Sequence, residues 1–388
     1  MRILLAGGGS GGHVTPLRAI SQSLQKQYQG KLEITVVTDR IFYAQTKFLF
    51  QAESDIRLKR VFSGKFRRYN GKSFVWHIVH LPTLLKNIRD IFLIGIGIVQ
   101  SAHYFLWHKP DVVFCKGGFV CVPVGIATRL FGVPLIIHDS DTHPGLTNRF
   151  LAPWATKIGT GMPSKYYNYE AEKMVYSGIP VSEEMAPVTD SQKKVALKEL
   201  NLDLKRPVLF VTGGGTGAKE LNAVITLVAE QLISAGWQIL HLTGKNKASK
   251  VQSARDKLAD EQQKYWHIAE FAEILPYVQA ADIIVSRAGA TAVQEFANAR
   301  KEVILVPSPY LTGGHQLKNA EMFEESKAAV VLQESQLRIN PSMLVETIQG
   351  IYSSRPSHGR AAELFNVFAK PHAADELAKL ILTTGTSS

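Results

Sequence analysis

Two glycine-rich turns, each set between an apolar run and a helical pattern, constrain this chain more than any other feature. The first is "LLAGGGSGGHVTP", in which Gly7 to Gly12 are followed at once by His13; the second is "VTGGGTGAKELN", from Val211 to Asn222. A turn of this kind exposes backbone N–H groups at the positive end of a helix dipole, an arrangement that favours an anion. Each opens a series of short, β-branched segments with helical periodicity between several of them. "MRILLA", "LEITVVT", "DVVFC" and "VPLIIHD" make the first series, and "RPVLFVTG", "WQILHLTG", "WHIAEF", "ADIIVSRAG" and "EVILVP" the second. Two successive βαβ series predict an α/β chain with two doubly wound, Rossmann-like domains. The length of 388 residues agrees, because it exceeds one ordinary core. The pattern restarts near "VYSGIPVSEEM". The predicted domains are therefore 1–181 and 182–365, followed by an amphipathic helix over about 366–388.

The charge balance asks for an acidic partner. With 44 Lys and Arg against 33 Asp and Glu, the net charge is +11, which suits nucleic acid, anionic lipid or a phosphorylated substrate. Nine of the cations fall between Arg57 and Arg89, a stretch with no Asp or Glu, interleaved with Phe62, Phe66, Phe74, Trp76 and Leu81. Basic residues beside exposed aromatics suit an anionic leaflet or single-stranded nucleic acid; a buried aromatic face behind a solvated basic one is the plain alternative. The apolar run "IFLIGIGIVQSAHYFLWH" holds two glycines and several polar residues, so it reads as a poor membrane-spanning helix that suits lying against a membrane. Cys115 and Cys121 read as small core residues in a reducing compartment. No secretory apolar region precedes the first glycines, and the expected location is cytoplasmic.

Several segments carry chemistry. Gly7, Gly9 and Gly12 satisfy G-x-G-x-x-G, and Asp39 ends the next strand, where a dinucleotide enzyme places its ribose acid. Asp39 reads equally as a strand-end cap, and neither turn has the Gly-Lys-Ser/Thr ending of a P-loop. In "SRAGATAVQEFA", from Ser286 to Ala297, a strand end, a turn and a helix start precede Glu295, which lies about one and a half turns inside the helix. The helix start suits a diphosphate, and Glu295 suits the two hydroxyls of a ribose or stands as a solvated acid. In "YLTGGHQLKNA", His315 and Gln316 suit hydrogen bonds to sugar hydroxyls. "HDSDTH" packs two histidines and two aspartates into six residues, but ligands that close in sequence seldom converge, and no metal is expected.

The segments "GGGSGGHVTP", "GGFVCVPVGIATRLFGVPLIIHDSDTHPGLTNRFLAPWATKI", "GGGTGAKELN", "SRAGATAVQE" and "HQLKNA" span nearly the whole chain in this order. Together they resemble the MurG family of family-28 glycosyltransferases, which convert lipid I to lipid II in peptidoglycan synthesis. The resemblance implies a GT-B fold, with two Rossmann-like domains facing a cleft. It implies inverting transfer of GlcNAc from UDP-GlcNAc to the 4-hydroxyl of the acceptor sugar, with no cofactor and no required metal. Lipid I, an anionic membrane surface and other cell-wall synthesis or division proteins are the implied partners, nucleic acid is not, and the place is the inner face of the cell membrane. The C-terminal helix is expected to pack back on the first domain.

By the same resemblance, the second domain binds the donor. Glu295 matches the residue that holds the uridine ribose, and Ala272 the position whose backbone meets the uracil. Gln316, with His315 beside it, matches the residue that reads the GlcNAc hydroxyls. The diphosphate faces Gly215 and Thr216 of the second turn and the helix start at Gly289, Ala290, Thr291, Ala292, Val293 and Gln294. Ser10, Gly11 and Gly12 match the first-domain loop at the sugar-phosphate region, and Gly11, Gly12, His13 and Asn148 the acceptor side. His13 matches the catalytic base. Asp139 and Asp141 stand where the family usually has glutamate and asparagine, Ser182 replaces an arginine, Gly215 a serine and Ala292 a threonine. A carboxylate at Asp141 suits a share of base duty with His13 or a fit to a modified acceptor. The alternatives are a GT-B transferase with another UDP-sugar or polyprenyl acceptor, an NAD-dependent oxidoreductase and a nucleic-acid-binding module.

Overall fold

The computed structural model describes residues 1–65, 80–214, 217–309, 314–354 and 359–386. The chain divides into two compact units, Met1–Ser182 with Lys370–Ser388, and Glu183–Ala369.

The first unit is built on seven strands: β1 (Arg2–Gly7), β2 (Glu33–Thr38), β3 (Arg57–Arg60), β4 (Val112–Gly117), β5 (Leu135–Asp139), β6 (Lys157–Thr160) and β7 (Met174–Tyr176). All pair in parallel, in the order β3-β2-β1-β4-β5-β6-β7. Parallel sheets need cover on both faces, and alternate residues of these strands divide accordingly. Ile3, Leu5, Val36, Phe114 and Ile136 join one core with Leu17, Ile20 and Leu24 of the helix Gly11–Gln27. Leu4, Ala6, Val37, Val113, Cys115 and Ile137 join the other with Phe105, Val124 and Leu151. Both cysteines are buried free thiols in that second layer.

The C-terminal segment is divided. Residues Arg360–Phe368 form a helix of the second unit, and the helix Ala373–Thr386 belongs to the first. Leu377, Ala378 and Ile381 are fully buried beside Leu17 and Ile20, each large side chain worth roughly 1.5–3 kcal/mol of burial. Asp375 accepts a hydrogen bond from the Ser23 hydroxyl, and its backbone oxygen accepts one from Gln27 Nε2 at 3.1 Å.

A single helix of 28 residues, Leu81–His108, runs between β3 and β4. It is long and apolar enough to cross a membrane by length and composition. Its inner face, with Thr83, Asp90, Gly97, Ser101 and Phe105, is nevertheless buried against the unit. Gly97 is needed for that approach, since a Cβ there would lie 1.9 Å from the carbonyl oxygen of Phe62. The outer face leaves Leu85, Ile88, Ile91, Phe92, Ile96 and Val99 exposed. Phe66, Phe74 and Trp76 of the basic segment lie outside the described residues.

The second unit has six parallel strands: β8 (Val208–Thr212), β9 (Gln238–Leu242), β10 (Trp266–Ala269), β11 (Ile283–Ser286), β12 (Glu302–Leu305) and β13 (Val330–Val331). Their order is β10-β9-β8-β11-β12-β13. The first six strands of the first unit follow the same winding, with the order reversing between β1 and β4 there and between β8 and β11 here. Ligands of such sheets bind beyond the carboxyl ends of the strands at that reversal.

Candidate active site

In the first unit, β1 and β4 end side by side at the reversal. The chain leaves β1 through Gly7–Ser10 and enters the helix Gly11–Gln27, with Ser10 extended at its N-cap. His13 lies in the first turn of that helix. Its Nδ1 is 2.7 Å from the carbonyl oxygen of Gly8 and 3.1 Å from Ser10 Oγ. A carbonyl only accepts, so Nδ1 carries the proton and Nε2 presents a lone pair. Burial, and then the charge of Lys116, lower the pKa of His13 to about 4, against the opposing pull of Gly8, Asp141 and Asp39. The imidazole is thus neutral around pH 7, the state a proton acceptor needs.

β4 ends in Gly117 and Gly118, at φ of +125° and +83°. A Cβ on Gly117 would stand 3.2 Å from His13 Nε2, and one on Gly118 would stand 2.0 Å from the Gly8 oxygen. The bare backbone of β4 therefore seats the imidazole and leaves room beside Nε2.

The segment after β5 closes the surroundings of His13. Asp139 accepts hydrogen bonds from the Tyr169 hydroxyl at 2.5 Å and from Gly145 N–H at 3.0 Å, while burial raises its pKa. Asn148 is buried and donates through Nδ2 to the His138 carbonyl at 2.8 Å; its Oδ1 is buried without a hydrogen-bond partner. Asp141 is half-buried, and Ser182 is the half-buried last residue of this part of the unit. In "HDSDTH" His138 points Nε2 at the Gly178 carbonyl, 2.9 Å away, and Asp139 is held by Tyr169. Among the described residues no three His, Cys, Asp or Glu side chains gather as a metal-binding group.

Asp39 is the strand-end cap, not a free ribose acid. Its Oδ2 accepts from Gly9 N–H at 2.7 Å, and its Oδ1 from the N–H groups of Ile41 at 2.8 Å and Phe42 at 3.1 Å. With its carboxylate spent on the backbone, the dinucleotide reading loses the residue that favoured it.

Sequence reasoning missed Lys116. This lysine is 1% exposed at the end of β4, and its ammonium donates to the Ser140 hydroxyl. Burial lowers its pKa to about 8 against the pull of Asp139 and Asp141. The signal was present as a charge in an apolar strand directly before Gly-Gly, in "DVVFCKGG".

In the second unit, β8 leads through Gly213 and Gly214 to the helix Lys219–Ser234, with Gly214 and Gly217 at φ of +74° and +67°. Gly215 and Thr216 lie outside the described residues. The neighbouring strand β11 leads to Gly289, the N-cap residue of the helix Ala290–Asn298. A Cβ on Gly289 would meet nothing within 4 Å, and the first turn of the helix carries no acidic side chain. Ala290, Thr291 and Ala292 form that turn, whose N–H groups face outward by helix geometry. Val293 and Gln294 are buried; the Gln294 amide donates to the Phe368 carbonyl at 2.8 Å and to Asn298 at 2.9 Å.

Glu295 is 8% exposed, with no side-chain hydrogen bond or ion pair among the described residues. Burial raises its pKa to about 7. It contrasts with the other buried acids of this unit, each of which is paired: Asp282 with Lys193, Glu302 with Arg360 and Glu334 with Arg287. After β12, Gly314 at φ +66° caps the helix His315–Glu325, and Gln316 accepts from Ser308 N–H at 2.9 Å through Oε1, leaving its NH₂ to donate. Ala272 is half-buried in the loop after β10.

Residues 3–160 match the glycosyltransferase family 28 N-terminal domain, and residues 208–377 match the family 28 C-terminal domain. The chain belongs to glycosyltransferase family 28. It is 33% identical to the "UDP-N-acetylglucosamine--N-acetylmuramyl-(pentapeptide) pyrophosphoryl-undecaprenol N-acetylglucosamine transferase 3" of Bacillus thuringiensis strain Al Hakam, over 94% of this chain and 95% of that one. It is 28% identical to the transferase of the same description from Bacillus pumilus, over 98% of both chains. The crystal structure of Acinetobacter baumannii MurG covers 98% of the chain with a TM-score of 0.67 at 23% identity, so the expected GT-B architecture of two Rossmann-like domains holds. The C-terminal family 28 match ends at residue 377, within the helix that returns to the first unit.

Proposed function

We propose that this family 28 transferase moves GlcNAc from UDP-GlcNAc to the 4-hydroxyl of lipid I, with inversion, to give lipid II. The observation that carries the chemistry is the Gly8 carbonyl bond to His13 Nδ1, which leaves Nε2 as the proton acceptor. The acceptor oxygen attacks the anomeric carbon, its bond to the UDP oxygen breaks, and the hydroxyl proton passes to Nε2. Asp141 opposes the lowering of the His13 pKa and offsets the charge of the imidazolium as it forms. The unpartnered Asn148 Oδ1 accepts from a sugar hydroxyl of the acceptor.

The second unit holds the donor. The open helix start at Gly289 to Ala292 stabilises the departing diphosphate. Glu295 accepts both ribose hydroxyls, Gln316 donates to the GlcNAc hydroxyls with His315 beside it, and the backbone at Ala272 meets the uracil. Ser10, Gly11 and Gly12 of the first unit serve the sugar-phosphate region. The transferase works peripherally on the inner face of the cell membrane, where the exposed apolar face of Leu81–His108, flanked by exposed Lys86 and Arg89, meets an anionic leaflet.

Labelled UDP-GlcNAc, UDP-glucose and UDP-galactose offered with a soluble lipid I analogue test the assignment. Transfer is expected from UDP-GlcNAc in strong preference. Equal or better transfer from another sugar, or none to the analogue, overturns it.

A further inference from the structure

Burying an ammonium costs several kcal/mol unless counter-charges and hydrogen bonds surround it. Lys116 is buried at the tip of β4, directly before the Gly117–Gly118 backbone that seats His13. Its ammonium reaches across to Ser140, the residue between Asp139 and Asp141. Nothing in the catalytic scheme above uses this charge, yet it stands among every group that surrounds the imidazole. Asp39 faces His13 from the end of β2, Lys116 from β4 and Asp141 from the segment after β5. Lys116 in turn is faced by Asp139, Asp141 and the Cys121 thiol, and its charge reaches the buried His138.

Of these neighbours only Lys116 is a cation. Asp39 is fully engaged by three backbone N–H groups, and Asp139 by Tyr169 and Gly145. The lysine is thus placed to counter the carboxylates that would otherwise draw a proton onto Nε2, and to tether the segment that carries Asp141.

We propose that Lys116 is a positioning residue for the transfer reaction: tethered to Ser140, its buried charge adds to burial in holding His13 neutral, while the Gly8 carbonyl keeps the proton on Nδ1 and Nε2 open to the acceptor hydroxyl. This rests on the assignment of His13 as base, but it has a readout of its own. Without the lysine, burial still favours the neutral ring, but no cation opposes the pull of Asp39 and Asp141 toward the imidazolium, which cannot accept a proton.

Histidine side-chain ¹⁵N spectra of the full chain, recorded from about pH 4 to about pH 7.5, test it, with the His13 signal assigned by its loss in His13→Gln. In the wild type His13 stays neutral down to about pH 4. In Lys116→Met its midpoint is expected to rise, and in Asp141→Asn to move the opposite way. Lys116→Gln, which keeps a hydrogen bond to Ser140 without the charge, serves if the methionine variant is not recovered folded. An unchanged His13 titration in the charge-neutral variant overturns the proposal. The acid limb of kcat/KM, measured on the same variants, is expected to rise with the midpoint. A midpoint that rises while the acid limb stays fixed supports the role of Lys116 and overturns the assignment of His13 as base.

Discussion

His13 Nδ1 lies 2.7 Å from the carbonyl oxygen of Gly8, and this contact decides which ring nitrogen is open to substrate. Because Gly8 belongs to the turn and His13 to the helix that follows, the glycine-rich stretch orients the side chain proposed as the base. On the proposed reading the second glycine turn and the helix start at Gly289 serve the nucleotide instead, so the two similar turns have different work.

The seat of the imidazole is a backbone surface, and a single methyl group disturbs it. Gly117→Ala places a Cβ 3.2 Å from Nε2 at a φ of +125°, which strains the turn as well. We expect kcat/KM to fall by about 10²-fold or more, comparable to loss of a positioned base. UDP binding, which the proposed reading gives to the second unit, is expected to be unchanged by calorimetry. A Gly117→Ala enzyme with wild-type turnover refutes the seating role.

On the proposed reading Glu295 links donor binding to pH. Its folded pKa is raised from 4.5 to about 7, and hydrogen bonds from ribose hydroxyls favour the carboxylate, so donor binding releases a proton below pH 7. UDP-GlcNAc is the right probe, since its diphosphate diester does not titrate in this range. Its affinity is expected to fall about tenfold between about pH 8 and about pH 6, and Glu295→Gln to bind more weakly at about pH 8 without that dependence. The stability sign is opposite: the buried carboxylate destabilises the fold once ionised, so Glu295→Gln is expected to raise Tm at about pH 8 and not at about pH 5. Identical pH dependence of binding in both proteins excludes Glu295 as the ribose ligand.

The exposed side of Leu81–His108 is a membrane-docking face on the proposed reading. Phe92→Glu with Ile96→Glu replaces two apolar side chains, 68% and 50% exposed, by acids and leaves the buried face intact. Flotation with anionic vesicles at low salt is expected to lose the double variant, while transfer to a water-soluble acceptor continues at the wild-type rate. Equal flotation of both proteins removes the docking role.

Most of the fold was legible because βαβ units are local: an apolar run, a turn and a helix announce each strand in turn. The glycine turns and the open helix start at Gly289 were legible for the same reason. What escaped depends on distant partners. Asp39 reads as a ribose acid or a strand-end cap, and only Gly9, 30 residues earlier, which donates to it, decides between them. Gln294 lies in the donor motif, yet its amide is held by the Phe368 carbonyl, 74 residues on. Lys116 drew no reading in the sequence, because its partner Ser140 lies 24 residues on. The last helical pattern ran together in sequence, but it breaks near Lys370, where the chain changes unit.

The most direct test is steady-state transfer of GlcNAc to a soluble lipid I analogue by His13→Ala, alongside the wild type. If Nε2 takes the acceptor proton, kcat falls by about 10²- to 10⁴-fold while UDP-GlcNAc affinity is retained. Wild-type kcat in His13→Ala would show that another group accepts the proton.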